Sequence, residues 1–218
     1  PMGLAVADML AGHSLVEGIL AGVIKRFRTN EGCHIETSLA EALVDFQFEV
    51  LTTYFNDGNR KPVRSKYNNA HAYLSAPYGI YQTRDGYVAI AMTPLPKLGE
   101  LIDLEFLKNL HDQKIWFTER DEIKKKIGDW TVNQSTQEIL NILEPADIWC
   151  SEVLDWESML KHEGFKILDM TQRIKSLDGL DIKTLRCPIR VDGEIFKSDL
   201  AAPKVGQDNE KIIKEMEL

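Results

Sequence analysis

Apolar residues return at helical spacing almost from the first residue. Met9, Leu10, Leu15, Val16, Ile19, Leu20, Val23, Ile24 and Phe27 recur at threes and fours, so a long helix is expected over residues 9–28. Gly12, Gly18, Ala21 and Gly22 stand among these bulky positions. Glycine lowers helix propensity, so the small residues read as places where another segment passes close. Asn30-Glu31-Gly32 ends the pattern, with glycine expected in the left-handed cap. Residues 33–37 alternate and read as a short strand. Ser38 then caps a second helix over residues 39–55, with Glu41 completing a capping box.

From residue 56 to 77 the apolar periodicity stops. The stretch opens with Asp57-Gly58-Asn59 and carries Arg60, Lys61, Arg64 and Lys66, then Asn68, Asn69 and His71. A long polar loop of this kind tends to carry function. Its cations suit either a phosphorylated ligand or a solvated face, the second being the commoner arrangement. Period-two alternation resumes on both sides of Asp85-Gly86, a hairpin signal over residues 78–82 and 87–92.

Residues 94–143 read as mostly helical, with Trp116, Ile123, Ile127, Trp130, Ile139, Leu140 and Leu143 as core and Ser135 as a cap. Residues 145–149 read as extended, and residues 152–154 and 156–162 as short helices. Strands are expected over residues 166–172 and 185–191, then a turn at Asp192-Gly193 and a last helix over residues 206–216. These elements divide into residues 1–67, a small α+β domain over residues 68–160, and a return over residues 161–218.

Composition narrows the chemistry. The 218 residues carry a net charge of −8 and are 44% apolar. An acidic chain lacks the basic footprint of a nucleic-acid binder and repels anionic lipid. No unbroken apolar stretch reaches about 18 residues, so no membrane span is expected. Residues 1–12 lack the features of a secretory signal. Cys33, Cys150 and Cys187 are odd in number and far apart, which suits buried thiols in the reducing cytoplasm. The five His residues have no metal-ligand spacing with cysteine, and His13 reads as helix surface or packing. There is no P-loop, dinucleotide fingerprint or nucleophile elbow. What stands out is Asp8, a carboxylate between apolar residues 4–7 and an apolar helix. It is either an N-cap, the commoner role for aspartate there, or a reactive group.

Ala7-Asp8-Met9-Leu10-Ala11-Gly12, Gly18-Ile19-Leu20-Ala21-Gly22, Arg26-Phe27-Arg28-Thr29-Asn30-Glu31-Gly32 and Ile35-Glu36-Thr37-Ser38-Leu39 follow one another. Further on come Pro77-Tyr78-Gly79-Ile80-Tyr81 with Asp85-Gly86-Tyr87, then Arg186-Cys187-Pro188-Ile189 and Ala202-Pro203-Lys204-Val205-Gly206. Together these motifs resemble the class III CoA-transferases of the CaiB/BaiF type. The resemblance implies an α/β fold: the C-terminal part of a Rossmann-like large domain plus a smaller α+β domain, in an interlocked homodimer. It implies that the N-terminal CoA-binding half lies outside this chain, on a longer chain or a separate polypeptide. It assigns Asp8 as the catalytic nucleophile, and His71, Tyr78 and Gly79 to the substrate or CoA site. It implies an acyl-CoA donor and a carboxylic acid acceptor, with coenzyme A as substrate and no further cofactor. Acyl-CoA racemases share the fold and use an acid just after the second hairpin strand, where this chain has Thr93. A non-catalytic assembly domain, with Asp8 only a cap, is the other reading.

Overall fold

The computed structural model describes residues 3–67 and 71–216, so Asn68 and Asn69 of the polar loop lie outside the described residues. Packing separates the chain into two units, Pro1–Val153 and Leu154–Leu218. The sequence places divisions at 67/68 and 160/161 instead; in the structure residues 3–67 and 71–153 share one unit.

In the first unit the long apolar pattern becomes helix α1, Val6–Thr29. Its left-handed cap is Asn30, with φ 58°, whose N–H donates to the Arg26 carbonyl at 2.8 Å. Asparagine tolerates this conformation, so the glycine expected in that role is not needed. Residues 33–37 form no strand among the described residues. They lie against α1 instead. A Cβ on Gly18 would sit 2.6 Å from Ile35 Cγ2, and one on Gly22 would sit 2.8 Å from Cys33 Sγ.

Helix α2, Leu39–Phe46, packs on α1 and is capped by Ser38, whose hydroxyl accepts from the Glu41 N–H. The Glu41 carboxylate accepts from the Ser38 hydroxyl at 2.6 Å and not from the Ser38 backbone N–H, so only the Ser38 half of the expected box forms. The expected second helix breaks at Gln47, and α3 follows over Phe48–Asn56.

The hairpin forms where period-two alternation places it. Strand β1, Gly79–Gln82, pairs antiparallel with β2, Tyr87–Ala91. Between β2 and the third strand come α4 (Leu95–Leu101), α5 (Glu105–Lys108), α6 (Gln113–Thr118), α7 (Arg120–Thr131) and α8 (Thr136–Leu143). Ser135 and Glu138 make a full capping box at α8. A 3₁₀ turn at Glu144–Ala146 replaces the extended segment expected there, and β3, Trp149–Glu152, joins β2 antiparallel. Tyr81, Val88 and Ile90 face a core completed by Leu95, Leu98, Leu107, Ile123, Ile127, Ile139 and Leu143, with Trp116 and Trp130 against it. Ile80, Tyr87 and Trp149 point away, so one sheet face stays open.

The second unit holds α9 (Trp156–Lys161), α10 (Glu163–Leu168), an antiparallel pair β4 (Thr171–Lys175) and β5 (Asp181–Leu185), a hairpin β6 (Arg190–Val191) and β7 (Glu194–Ile195), and α11 (Asn209–Met216). Asp192 and Gly193, both at positive φ, turn the hairpin as expected. The strand expected over residues 166–172 is displaced: His162 caps α10 by accepting from the Gly164 N–H, and Asp169 ends it in a left-handed conformation. Buried Arg186 donates to the carbonyls of Leu168, Asp169 and Cys187, fixing the strand pair to the end of that helix.

The fold is therefore mixed α/β, and the sheets among the described residues are all antiparallel. Helix α1 is long and apolar enough to cross a membrane by length and composition, and its apolar window is unburied in the structure. The unbroken-stretch criterion passes over it because Asp8, His13, Glu17 and Lys25 interrupt the apolar residues.

Candidate active site

Asp8 occupies the third position of α1. The N-cap position falls on Ala5, three residues earlier, and makes no side-chain cap bond. Asp8 is accordingly not the cap: the apolar residues before it already enter the helix. Its carboxylate is exposed and makes no hydrogen bond or ion pair among the described residues. It shares the first turn with backbone N–H groups that have no intrahelical acceptor, at the end of the helix that favours negative charge.

A cavity of about 930 Å³ opens where the polar loop meets the sheet. Phe46 of α2 and Val50 of α3 form one wall, and Pro62, Arg64, His71 and Ala72 of the loop another. The floor is Tyr78, Gly79 and Ile80 of the first hairpin arm with Ala89, Ile90 and Ala91 of β2. Alanine at 89 and 91, on the open face of the sheet, leaves the room. The structure thus brings together His71, Tyr78 and Gly79, the three binding residues expected from sequence, while Asp8 is not among the residues lining the cavity.

The first turn of α7 positions the loop. Asp121 accepts from the Ser65 hydroxyl at 2.7 Å and the Lys66 N–H at 2.9 Å. The next side chain back, Arg120, is buried and donates to the carbonyls of Ala72 at 2.7 Å, Leu74 at 3.4 Å and Val63. One helix end thereby grips the loop on both sides of Arg64 and on the far side of His71. Burial works to raise the Asp121 carboxyl, but the Ser65 and Lys66 hydrogen bonds and the Arg120 charge hold it below its ordinary range. His71 Nδ1 accepts from the Tyr73 N–H at 3.2 Å, which leaves the ring proton on Nε2, 3.5 Å from Glu49 Oε1. The buried Tyr81 hydroxyl donates to the Pro77 carbonyl at 2.5 Å, and burial pushes its phenol pKa up.

The four loop cations do not form one patch. Arg64 lines the large cavity, Arg60 and Lys61 line a second of about 360 Å³, and Lys66 lines neither. Arg60 is engaged locally, donating to the Asp57 carbonyl at 2.8 Å. Thr93, at the position where a racemase would carry an acid, is buried. Among the described residues no group of three His, Cys, Asp or Glu side chains is arranged to hold a metal ion. The apolar wall residues Phe46 and Val50 and the Arg120–Asp121 grip escaped the sequence reading. For the grip alone a signal was there: a charged pair opening an otherwise periodic helix.

A family model, CoA-transferase family III, matches residues 1–209. A succinate–glutarate CoA-transferase of Agrobacterium fabrum is 25% identical over 225 residues, covering 99% of this chain and 54% of its own length. A succinyl-CoA:mesaconate CoA-transferase of Haloarcula hispanica is 29% identical over 149 residues, covering 66% of this chain and 36% of its own. The crystal structure of a CaiB/BaiF family protein from Brucella suis superposes with a TM-score of 0.73 at 24% identity, covering 99% of this chain and 56% of that one. The chain spans about half the length of the Agrobacterium relative and of this solved chain.

Proposed function

The chain belongs to CoA-transferase family III, and from that premise we propose that the protein transfers coenzyme A from an acyl-CoA donor to a carboxylic acid, with Asp8 as nucleophile. An Asp8 carboxylate oxygen attacks the thioester carbon of the donor. The carbon–sulfur bond breaks, CoA leaves as the thiolate, and a mixed anhydride remains on Asp8. The thiolate then attacks the aspartyl carbon of that anhydride and expels the donor acid as its carboxylate, leaving an aspartyl-CoA thioester. The acceptor carboxylate attacks that thioester, and the released thiolate attacks the acceptor acyl carbon. Acceptor acyl-CoA forms and the Asp8 carboxylate is regenerated. Covalent catalysis divides one hard exchange into easier displacements. Each displacement passes through an oxyanion beside the first turn of α1, where free N–H groups and the helix dipole favour negative charge.

The observation that carries this reading is Asp8 itself, an exposed carboxylate at a helix start with no partner among the described residues. The cavity lined by His71, Tyr78 and Gly79 supports an acyl or acid site on the same unit. The relatives are named for succinate, glutarate and mesaconate, which makes a dicarboxylic acid the proposed substrate class. Cytoplasmic location, a homodimer, a CoA-binding half outside these residues and coenzyme A as the one carrier belong to the same proposal. Proton exchange of the racemase kind needs a second acid or base; Thr93 stands where it would be, and among the described residues no Asp or Glu lines the large cavity.

Asp8→Asn in the full-length protein tests the assignment. Turnover is expected to fall at least about 1,000-fold, because the amide cannot form the anhydride. Stability is expected to drop by less than about 1 kcal/mol, the worth of a charge at an exposed helix start. Turnover within tenfold of the unmodified protein would remove Asp8 from the mechanism.

A further inference from the structure

Resting on the transferase reading, we propose that Arg64 is the specificity residue that recognises the distal carboxylate of a dicarboxylic substrate. The large cavity is mostly apolar, with Phe46, Val50, Ile80 and Ala91 among its walls. Among the described residues its polar side chains are Arg64, His71 and Tyr78, and no Asp or Glu lines it. The His71 ring is already engaged, with Nδ1 on the Tyr73 N–H and Nε2 towards Glu49. The Arg64 guanidinium is different. It makes no hydrogen bond or ion pair among the described residues, although two carboxylates stand nearby in sequence at Asp57 and Glu49. Asp57 is taken by Arg60 and Glu49 by His71. The loop around Arg64 is nevertheless fixed on both sides, by Asp121 holding Ser65 and Lys66 and by Arg120 holding Val63. A fixed backbone under a free fork of donors suits a planar anion, and a guanidinium pairs with a carboxylate through two parallel hydrogen bonds. A volume of about 930 Å³ lies within the range of small-molecule sites. Such a cavity takes an apolar carbon chain that ends in one negative charge.

The test uses the full-length protein, succinyl-CoA as donor, and two acceptors of equal chain length, glutarate and pentanoate. The readout is the ratio of their kcat/KM values. Replacing Arg64 by Gln is expected to lower the glutarate-to-pentanoate ratio about 30-fold, the scale of a charged hydrogen-bonded pair. Arg64→Lys is expected to restore part of the ratio, since an ammonium keeps the charge without the fork. An unchanged ratio in Arg64→Gln would overturn the proposal. So would an equal loss for both acids, which would mean that Arg64 meets the reacting carboxylate. Titration of the same protein with glutarate and pentanoate, without donor, separates this proposal from the transferase reading. If the unmodified protein turns over neither acid, Arg64-dependent preference for binding glutarate upholds the carboxylate site while the transferase reading fails. Binding without such a preference overturns the site.

Discussion

Lys124 shows how far a single residue can hide in a sequence. It opens the run Lys124-Lys125-Lys126, yet it is 1% exposed and, among the described residues, its ammonium has no hydrogen-bond partner. The helical period explains this: Arg120, Ile123, Lys124, Ile127 and Thr131 share the buried face of α7. Burial, reinforced by the Arg120 charge and only partly offset by Asp121, pushes the Lys124 pKa down to about 8. An unfolded lysine titrates near 10.4. Between those values the unfolded state binds more protons than the folded one, so stability rises with pH across about pH 8–10. Below that window the full cost of the buried charge is carried. Lys124→Met is therefore expected to stabilise the protein by about 1–3 kcal/mol at pH 7, with a gain that shrinks towards pH 10. Urea denaturation at both pH values measures it, and a destabilised Met variant at pH 7 would contradict this account of the lysine. Asp85 makes the opposite case. Its carboxylate accepts from the N–H and hydroxyl of Thr136 and from the Thr83 hydroxyl, which hold its pKa below the ordinary value and tie the hairpin to α8. That contribution is present above about pH 4 and is lost as pH falls through the lowered value.

At the scale of elements, legibility followed local chemistry. The hairpin at Asp85-Gly86, the cap at Ser135 and the turn at Asp192-Gly193 each carry their own signal, and each formed. Residues 33–37 form no strand, since a strand also needs a partner elsewhere in the chain, and of residues 166–172 only Thr171 and Gln172 join one, because α10 runs on to Leu168. The glycines of α1 were expected to admit another backbone; Gly18 and Gly22 instead admit the side chains of Ile35 and Cys33, and Gly12 has nothing within 4 Å of a new Cβ. Gly18→Ala would normally gain about 1 kcal/mol of helix propensity. Here the new methyl meets the branched Ile35 Cγ2 at 2.6 Å, so a net loss of about 1 kcal/mol is expected. Gly128→Ala on α7, with nothing within 4 Å of the new Cβ, is expected to gain about 0.5–1 kcal/mol. Thermal unfolding of the two variants side by side checks the contrast; equal shifts would mean that Ile35 does not press on α1.

At the scale of the molecule, the candidate site was partly legible. Asp8, His71, Tyr78 and Gly79 came from motifs, and three of the four line one cavity. The cavity walls Phe46 and Val50 could not be read, because α2 and α3 reach the sheet only through tertiary packing. Helix α1 keeps Val16, Leu20, Ile24 and Phe27 exposed, a large apolar surface for a folded protein. The chain also spans only about half of the Agrobacterium relative. Chemistry at Asp8 is therefore best tested in the full-length protein. The most direct measurement is peptide mass mapping after incubation with succinyl-CoA and other acyl-CoA esters, with hydroxylamine or borohydride as the trap. A hydroxamate or reduced product on the peptide containing Asp8, absent in Asp8→Asn, is the expected result. An unmodified Asp8 peptide in a protein that turns over the same esters would contradict covalent transfer through this carboxylate.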